Sequence, residues 1–159
     1  MTRETGQHWP SFEAFAEVAG IRLRRALVAR FGPDLGAEAA ADAMAYAWRH
    51  WDTLASMANP VGYLYRVGQT SIRTQTRWRR RRAAYPVETE WNDTVQLPDP
   101  GLHRALERLS PDHRAAVILV HAHGYSYEEA ARTLNVPVTT LRNHLHRGMA
   151  KLRSLLEQP

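Results

Sequence analysis

Eight histidines and sixteen acidic residues are the first places to look for chemistry in this chain, and their spacing argues against catalysis. His121 and His123, and likewise His144 and His146, lie two positions apart. On a helix such pairs point in different directions, and no carboxylate stands at the spacing of a zinc motif. A histidine-ligated metal enzyme is therefore the most distant reading. The chain has no cysteine, which excludes a thiolate nucleophile, a disulfide framework and cysteine-ligated zinc. Paired catalytic carboxylates and a nucleophile elbow are absent as well. The expectation is a protein with no catalytic residue, no metal and no cofactor, which works by recognition.

Recognition chemistry is concentrated near the C-terminus. Thr139, Thr140, Asn143, His146 and Arg147 fall on one side of a helix when residues are turned by about 100° each, with Arg142 and His144 on its flanks. Val138, Leu141, Leu145, Met149 and Leu152 fall on the other side, in steps of three and four. Guanidinium and carboxamide groups read base edges, and hydroxyl and cationic groups hold phosphates. The segment before this helix predicts its support. Ser126 and Glu129 form a capping box, Ala130, Ala131 and Leu134 face inward, and Asn135 tolerates the left-handed backbone of a tight turn completed by Val136 and Pro137. The pattern is a helix-turn-helix, whose second helix enters the major groove.

The rest of the chain predicts helices only. Ser11 caps a helix carrying Phe12, Phe15, Val18, Leu23, Leu27 and Phe31, which Gly32-Pro33 stops. A second, alanine-rich helix is expected over 36–51, then a loop over 52–58. Asn59-Pro60 starts a third helix reaching about residue 82. Its one side holds Val61, Leu64, Tyr65, Gly68 and Ile72; the other carries a stripe of Arg66, Gln69, Thr70, Arg73 and Arg77, followed by the run Arg79 to Arg82. Residues 83–101, with Pro86, Pro98 and Pro100 among Glu88, Glu90, Asp93 and Asp99, read as an acidic irregular linker. A short helix over 102–109 and another from Ser110-Pro111 to about His123 lead to the helix-turn-helix. The formal charge of +5 favours a polyanionic partner, and Lys151 is the only lysine, so the positive charge is almost all guanidinium. Nothing resembles a signal peptide or a membrane span, and a cytoplasmic protein without membrane insertion is expected.

Two stretches carry a family resemblance. ALERLSPDHRAAVILV followed by GYSYEEAARTLNVPVTTLRNHLHRGMAKLR is similar to region 4 of the extracytoplasmic-function (ECF) sigma factors, the small two-domain members of the bacterial RNA polymerase sigma family. NPVGYLYRVGQTSIR with the arginine run resembles region 2.4, and Trp48 sits where region 2.3 commonly has tryptophan. The resemblance implies an all-α protein of two small domains: a region 2-like bundle over 11–82 and a region 4-like helix-turn-helix domain over 102–157, joined by the linker 83–101. It implies a factor that binds core RNA polymerase through the β′ clamp and β flap and directs initiation at promoter DNA, with room for an anti-sigma factor as a further partner. Thr139, Thr140, Arg142, Asn143, His146 and Arg147 would read the upstream, minus-thirty-five element, and Arg66, Gln69, Thr70, Arg73 and Arg77 would bind the minus-ten region. Glu38 and Asp42, four residues apart and so on one helix face, would meet the clamp. The family's glutamine in this stretch is missing, Thr74 stands where an aspartate is common, and Pro137 replaces a serine cap. A stand-alone helix-turn-helix regulator is the nearest alternative, since Thr-Leu-Arg-Asn-His-Leu also resembles the LuxR-type DNA-binding domain; no receiver or ligand domain of α/β pattern accompanies it.

Overall fold

The protein is described here by a computed structural model covering residues 8–79, with backbone alone over 75–79, and residues 99–157. Every regular element among these residues is helical. α1 (Phe12–Phe31) starts at Ser11, whose hydroxyl accepts from the Ala14 amide at 3.2 Å. It ends at Gly32, whose φ of +87° suits a residue without Cβ. Gly32-Pro33 stops α1 but leaves no gap, because Pro33 occupies the first position of α2 (Pro33–Arg49). The second helix thus begins three residues earlier than its alanine pattern suggested. The expected loop over 52–58 is also partly helical, with a single turn α3 (Trp51–Leu54) that seats Leu54 in the interior.

α1, α2 and α4 (Pro60–Arg79) form the N-terminal bundle. Phe15, Leu23 and Leu27 of α1 meet a lane of small residues on α2: Ala39, Ala40, Ala43 and Ala47, all buried. The small side chains let the backbones approach, and the closest point is Gly36, where an added Cβ would stand 2.4 Å from the Val28 Cα. Leu64, Tyr65 and Ile72 of α4 close the core from the other side. An aromatic cluster seals its end, with Phe12 edge-on to Trp48 at 5.1 Å and to Trp51 at 5.7 Å.

The C-terminal block begins with α5 (Pro100–Glu107), capped by the Asp99 carboxylate, which accepts from the Gly101 amide at 2.7 Å. Residues 99–101 therefore belong to this helix rather than to the linker; the remainder of the linker and the run from Arg80 to Arg82 lie outside the described residues. α6 (Pro111–Val117) passes into a π-helical turn, Ile118–Ala122, closed by Gly124 at φ +71°. α7 (Tyr127–Thr133) and α8 (Val138–Leu156) complete the chain. The two blocks pack together: α1 lies against α6, the π turn and α7, and α4 against α7.

Gly36→Ala should destabilise the protein by about 1–3 kcal/mol, because the new methyl group would meet the backbone of α1 rather than a flexible side chain. A shift of the urea midpoint to lower concentration without a change in slope checks this.

Candidate nucleic-acid interface

The helix-turn-helix is built as its sequence predicts. The Glu129 amide donates to the Ser126 hydroxyl at 3.1 Å, and the Ser126 amide donates to the Glu129 carboxylate at 2.9 Å. Both orphan donors at the start of α7 are satisfied by this exchange. Ala130 and Ala131 are buried, so α7 lies close on α8. Asn135 takes φ +54°, the only non-glycine residue with positive φ among those described. The Val136 amide then returns to the Ala131 carbonyl at 3.0 Å, which turns the chain into α8. Pro137 takes the N-cap position of α8 without a side-chain bond, so the helix begins at Val138.

One face of α8 is fixed inward. Leu141, Leu145 and Leu152 are buried, Val138 and Met149 are half-buried, and Gly148 lets α8 approach α6, since a Cβ there would stand 2.9 Å from a Val117 methyl. Thr139, Arg142, Asn143, His146 and Arg147 are exposed on the opposite side, and Thr140 is half-buried. The Arg142 guanidinium lies 5.7 Å from the centroid of the Tyr127 ring, a cation–π contact that orients it from α7. These residues form a solvent-facing row of donors on a rigid helix.

The other two groups of residues lie elsewhere. On α4, Arg66, Thr70 and Arg73 are exposed and Gln69 is half-buried; the Arg77 side chain lies outside the described residues. The Thr70 hydroxyl donates to the Arg66 carbonyl at 3.1 Å. Arg66 itself reaches into the C-terminal block, donating to the Asn135 carbonyl at 3.2 Å. Glu38 and Asp42 are exposed on α2, and the Ser71 hydroxyl donates to the Asp42 carboxylate at 2.6 Å, tying α2 to α4. Trp48 is 61% exposed despite its size. The sequence reading missed the residues that join the blocks: Asn59, Arg114 and Arg132. Each of them bonds a backbone carbonyl more than seventy positions away, and no local pattern announces such a bond.

Residues 101–152 match the family model for sigma-70, region 4. The chain is 33% identical over 128 residues to the RNA polymerase sigma-E factor of Streptomyces avermitilis, covering 72% of this chain and 67% of that one. It belongs to the RNA polymerase sigma factor family. It is also 35% identical over 108 residues to the ECF RNA polymerase sigma factor SigE of Mycolicibacterium smegmatis, which span 60% of this chain and 42% of that protein. The fold is shared with the sigma factor RpoE of Bartonella quintana, solved in complex with the anti-sigma factor NepR; the TM-score is 0.62 at 24% identity, over 92% of this chain and 97% of that one. As a sigma factor, the protein directs transcription initiation, with core RNA polymerase and promoter DNA as partners. The family regulates transcription and is not one of enzymes. No helix among the described residues is long and apolar enough to cross a membrane.

Two neighbouring histidines, His113 of α6 and His144 of α8, have their pKa values lowered. Burial lowers the pKa of His144, with Arg30 and Arg147 adding to the effect, and burial lowers that of His113, with His144 and Arg147 adding. With folded values below the unfolded value of about 6.5, the unfolded chain binds more protons as the solution is acidified. The stability these histidines contribute should be complete above about pH 6.5 and fall as pH drops towards their lowered values. Calorimetric melting from pH 7.5 to 5.5 checks the slope, and His144→Gln should flatten it.

Proposed function

We propose that this sigma factor reads its promoters with two separate surfaces, in a division of labour between its two blocks. The helix-turn-helix block, residues 99–157, takes the upstream minus-thirty-five element, with Thr139, Thr140, Arg142, Asn143, His146 and Arg147 on or beside the groove-facing side of α8. The observation that carries this reading is the outward row of donors opposite the buried leucines, within the stretch that matches region 4. The N-terminal block, residues 11–82, takes the minus-ten region with Arg66, Gln69, Thr70, Arg73 and Arg77, supported by the exposure of Arg66, Thr70 and Arg73 along one helix. Glu38 and Asp42 meet the β′ clamp from the outer face of α2, while the C-terminal block meets the β flap. The factor works in the cytoplasm by recognition, without chemistry, metal or cofactor of its own. The Bartonella quintana neighbour of the same fold has an anti-sigma partner, and a protein of that kind is the partner we expect to restrain this chain.

Arg147→Ala or Asn143→Ala should cost about 1–3 kcal/mol at the preferred upstream sequence and relax discrimination there. Competition on randomised upstream sequences at fixed salt checks this; if neither variant changes the selected sequence, α8 is not the reader. Glu38→Arg should weaken assembly on core polymerase while the helical fold, checked by circular dichroism, is retained, because the Ser71–Asp42 bond between α2 and α4 is kept. Unaltered assembly in a polymerase pull-down removes α2 from the clamp interface.

A further inference from the structure

A half-open hollow of about 650 Å³ lies between α1 on one side and α5, α6, the π turn and α8 on the other. None of the residues assigned above to DNA or to polymerase lines it. Its volume falls within the roughly 300–1,000 Å³ of small-molecule sites. The walls are mostly carbon, with Val28 and Phe31 from α1, Leu102 and Leu106 from α5, Val117 from α6 and Met149 from α8. Protein interiors are close-packed, so apolar walls that face a hollow forgo contacts which an apolar occupant would restore.

The lining is polarised along α1. Arg24 and Arg25 stand one to two turns before Phe31, roughly 9–10 Å along the helix axis. The opposite wall runs back along the same helix. Arg114, in α6, donates to the Ala29 and Arg30 carbonyls in the last turn of α1, whereas Glu129, beyond the π turn, pairs with Arg22 at 3.8 Å. His121 and His123, which also line the hollow, therefore come to its Arg24–Arg25 end. The one carboxylate among the lining residues, Glu107, belongs to the other end. There it meets the His103 imidazole at 3.2 Å and supports the charged form of Arg114. The π turn is the wall that leads to both histidines, and such turns, rare in proteins, are frequent at functional sites.

We propose that this hollow binds a soluble anionic amphiphile, a monocarboxylate with an apolar tail. The tail lies between Phe31, Leu106 and Met149, and the carboxylate meets Arg24, Arg25, His121 and His123. Guanidinium forks pair with carboxylates through two parallel bonds, and imidazole N–H groups add donors. The site is independent of how α4 and α8 meet DNA.

Dodecanoate, kept below its micelle concentration, is the probe, titrated calorimetrically into the full chain. One molecule should bind per chain, and the melting temperature should rise with its concentration, as for a ligand of the folded state. Dodecyltrimethylammonium, with the same tail and the opposite charge, should bind at least about tenfold more weakly. Leu102→Trp and Met149→Trp each place an indole in the hollow without a change of charge. Both positions are half-buried, and either variant that keeps its helical circular dichroism suffices. A folded filling variant should lose at least about tenfold in affinity for dodecanoate. Arg24→Gln with Arg25→Gln should also weaken dodecanoate and narrow the gap between the two probes. A chain of net charge +5 also attracts anionic surfactants to its open surface. Binding left intact by the filling variants is adsorption of that kind and overturns the site, as do equal affinities for the two probes or no saturable binding. Co-sedimentation with phosphatidylglycerol vesicles that the filling variants abolish would assign the hollow to a bilayer lipid and overturn a soluble ligand.

Discussion

Leu141, Leu145 and Leu152 bury one face of α8, and the rest of the C-terminal block is arranged to receive them. The three leucines bury apolar area that together stabilises the fold by several kcal/mol, since each side chain contributes about 1.5–3 kcal/mol. A helix held by that row has no rotational freedom left, so Asn143, His146 and Arg147 must point to solvent. The capping box at Ser126 and Glu129, the left-handed Asn135 and the small Ala130 and Ala131 all serve to bring α7 close enough to hold α8 in that orientation. Packing thus determines which polar side chains α8 presents to solvent.

Most of the fold was legible in the chain because its signals are local. Ser11, Ser110 and Ser126 were readable as caps, the alanines and leucines marked the buried faces, and Asn135 marked the turn. Errors arose where tertiary structure overrides a local pattern. Gly32-Pro33 reads as a break, but Pro33 at the first position of a helix costs nothing, so α2 follows α1 directly. Trp51–Leu54 is too short to show a period of its own and is helical because Leu54 and Trp51 pack into the bundle. Of the candidate site residues, Thr139, Arg142, Asn143, His146 and Arg147 follow directly from helical rotation, whereas Thr140 is half-buried. Gln69 does not follow from rotation, because it is half-buried on the same helix as Tyr65 and not fully outward.

The arginine content has a double use that composition alone cannot separate. Arg142, Arg147 and Arg73 face solvent, whereas Arg114 and Arg132 donate to carbonyls across the junction between the blocks. A planar guanidinium suits both tasks, because it offers several donors in one plane and remains charged when partly desolvated. Arg66 stands between them, exposed on the stripe of α4 yet bonded to the turn before α8. The arginines are thus divided in three dimensions between exposed helix faces and the seam between the blocks.

As a sigma factor, this chain confers promoter choice on RNA polymerase. Run-off transcription from a library of genomic fragments, with core polymerase alone and with the chain added, tests it most directly. The account predicts discrete transcripts that depend on the chain and begin at a constant distance downstream of a shared pair of elements. A chain that binds DNA but leaves the core polymerase without specific start sites would contradict it.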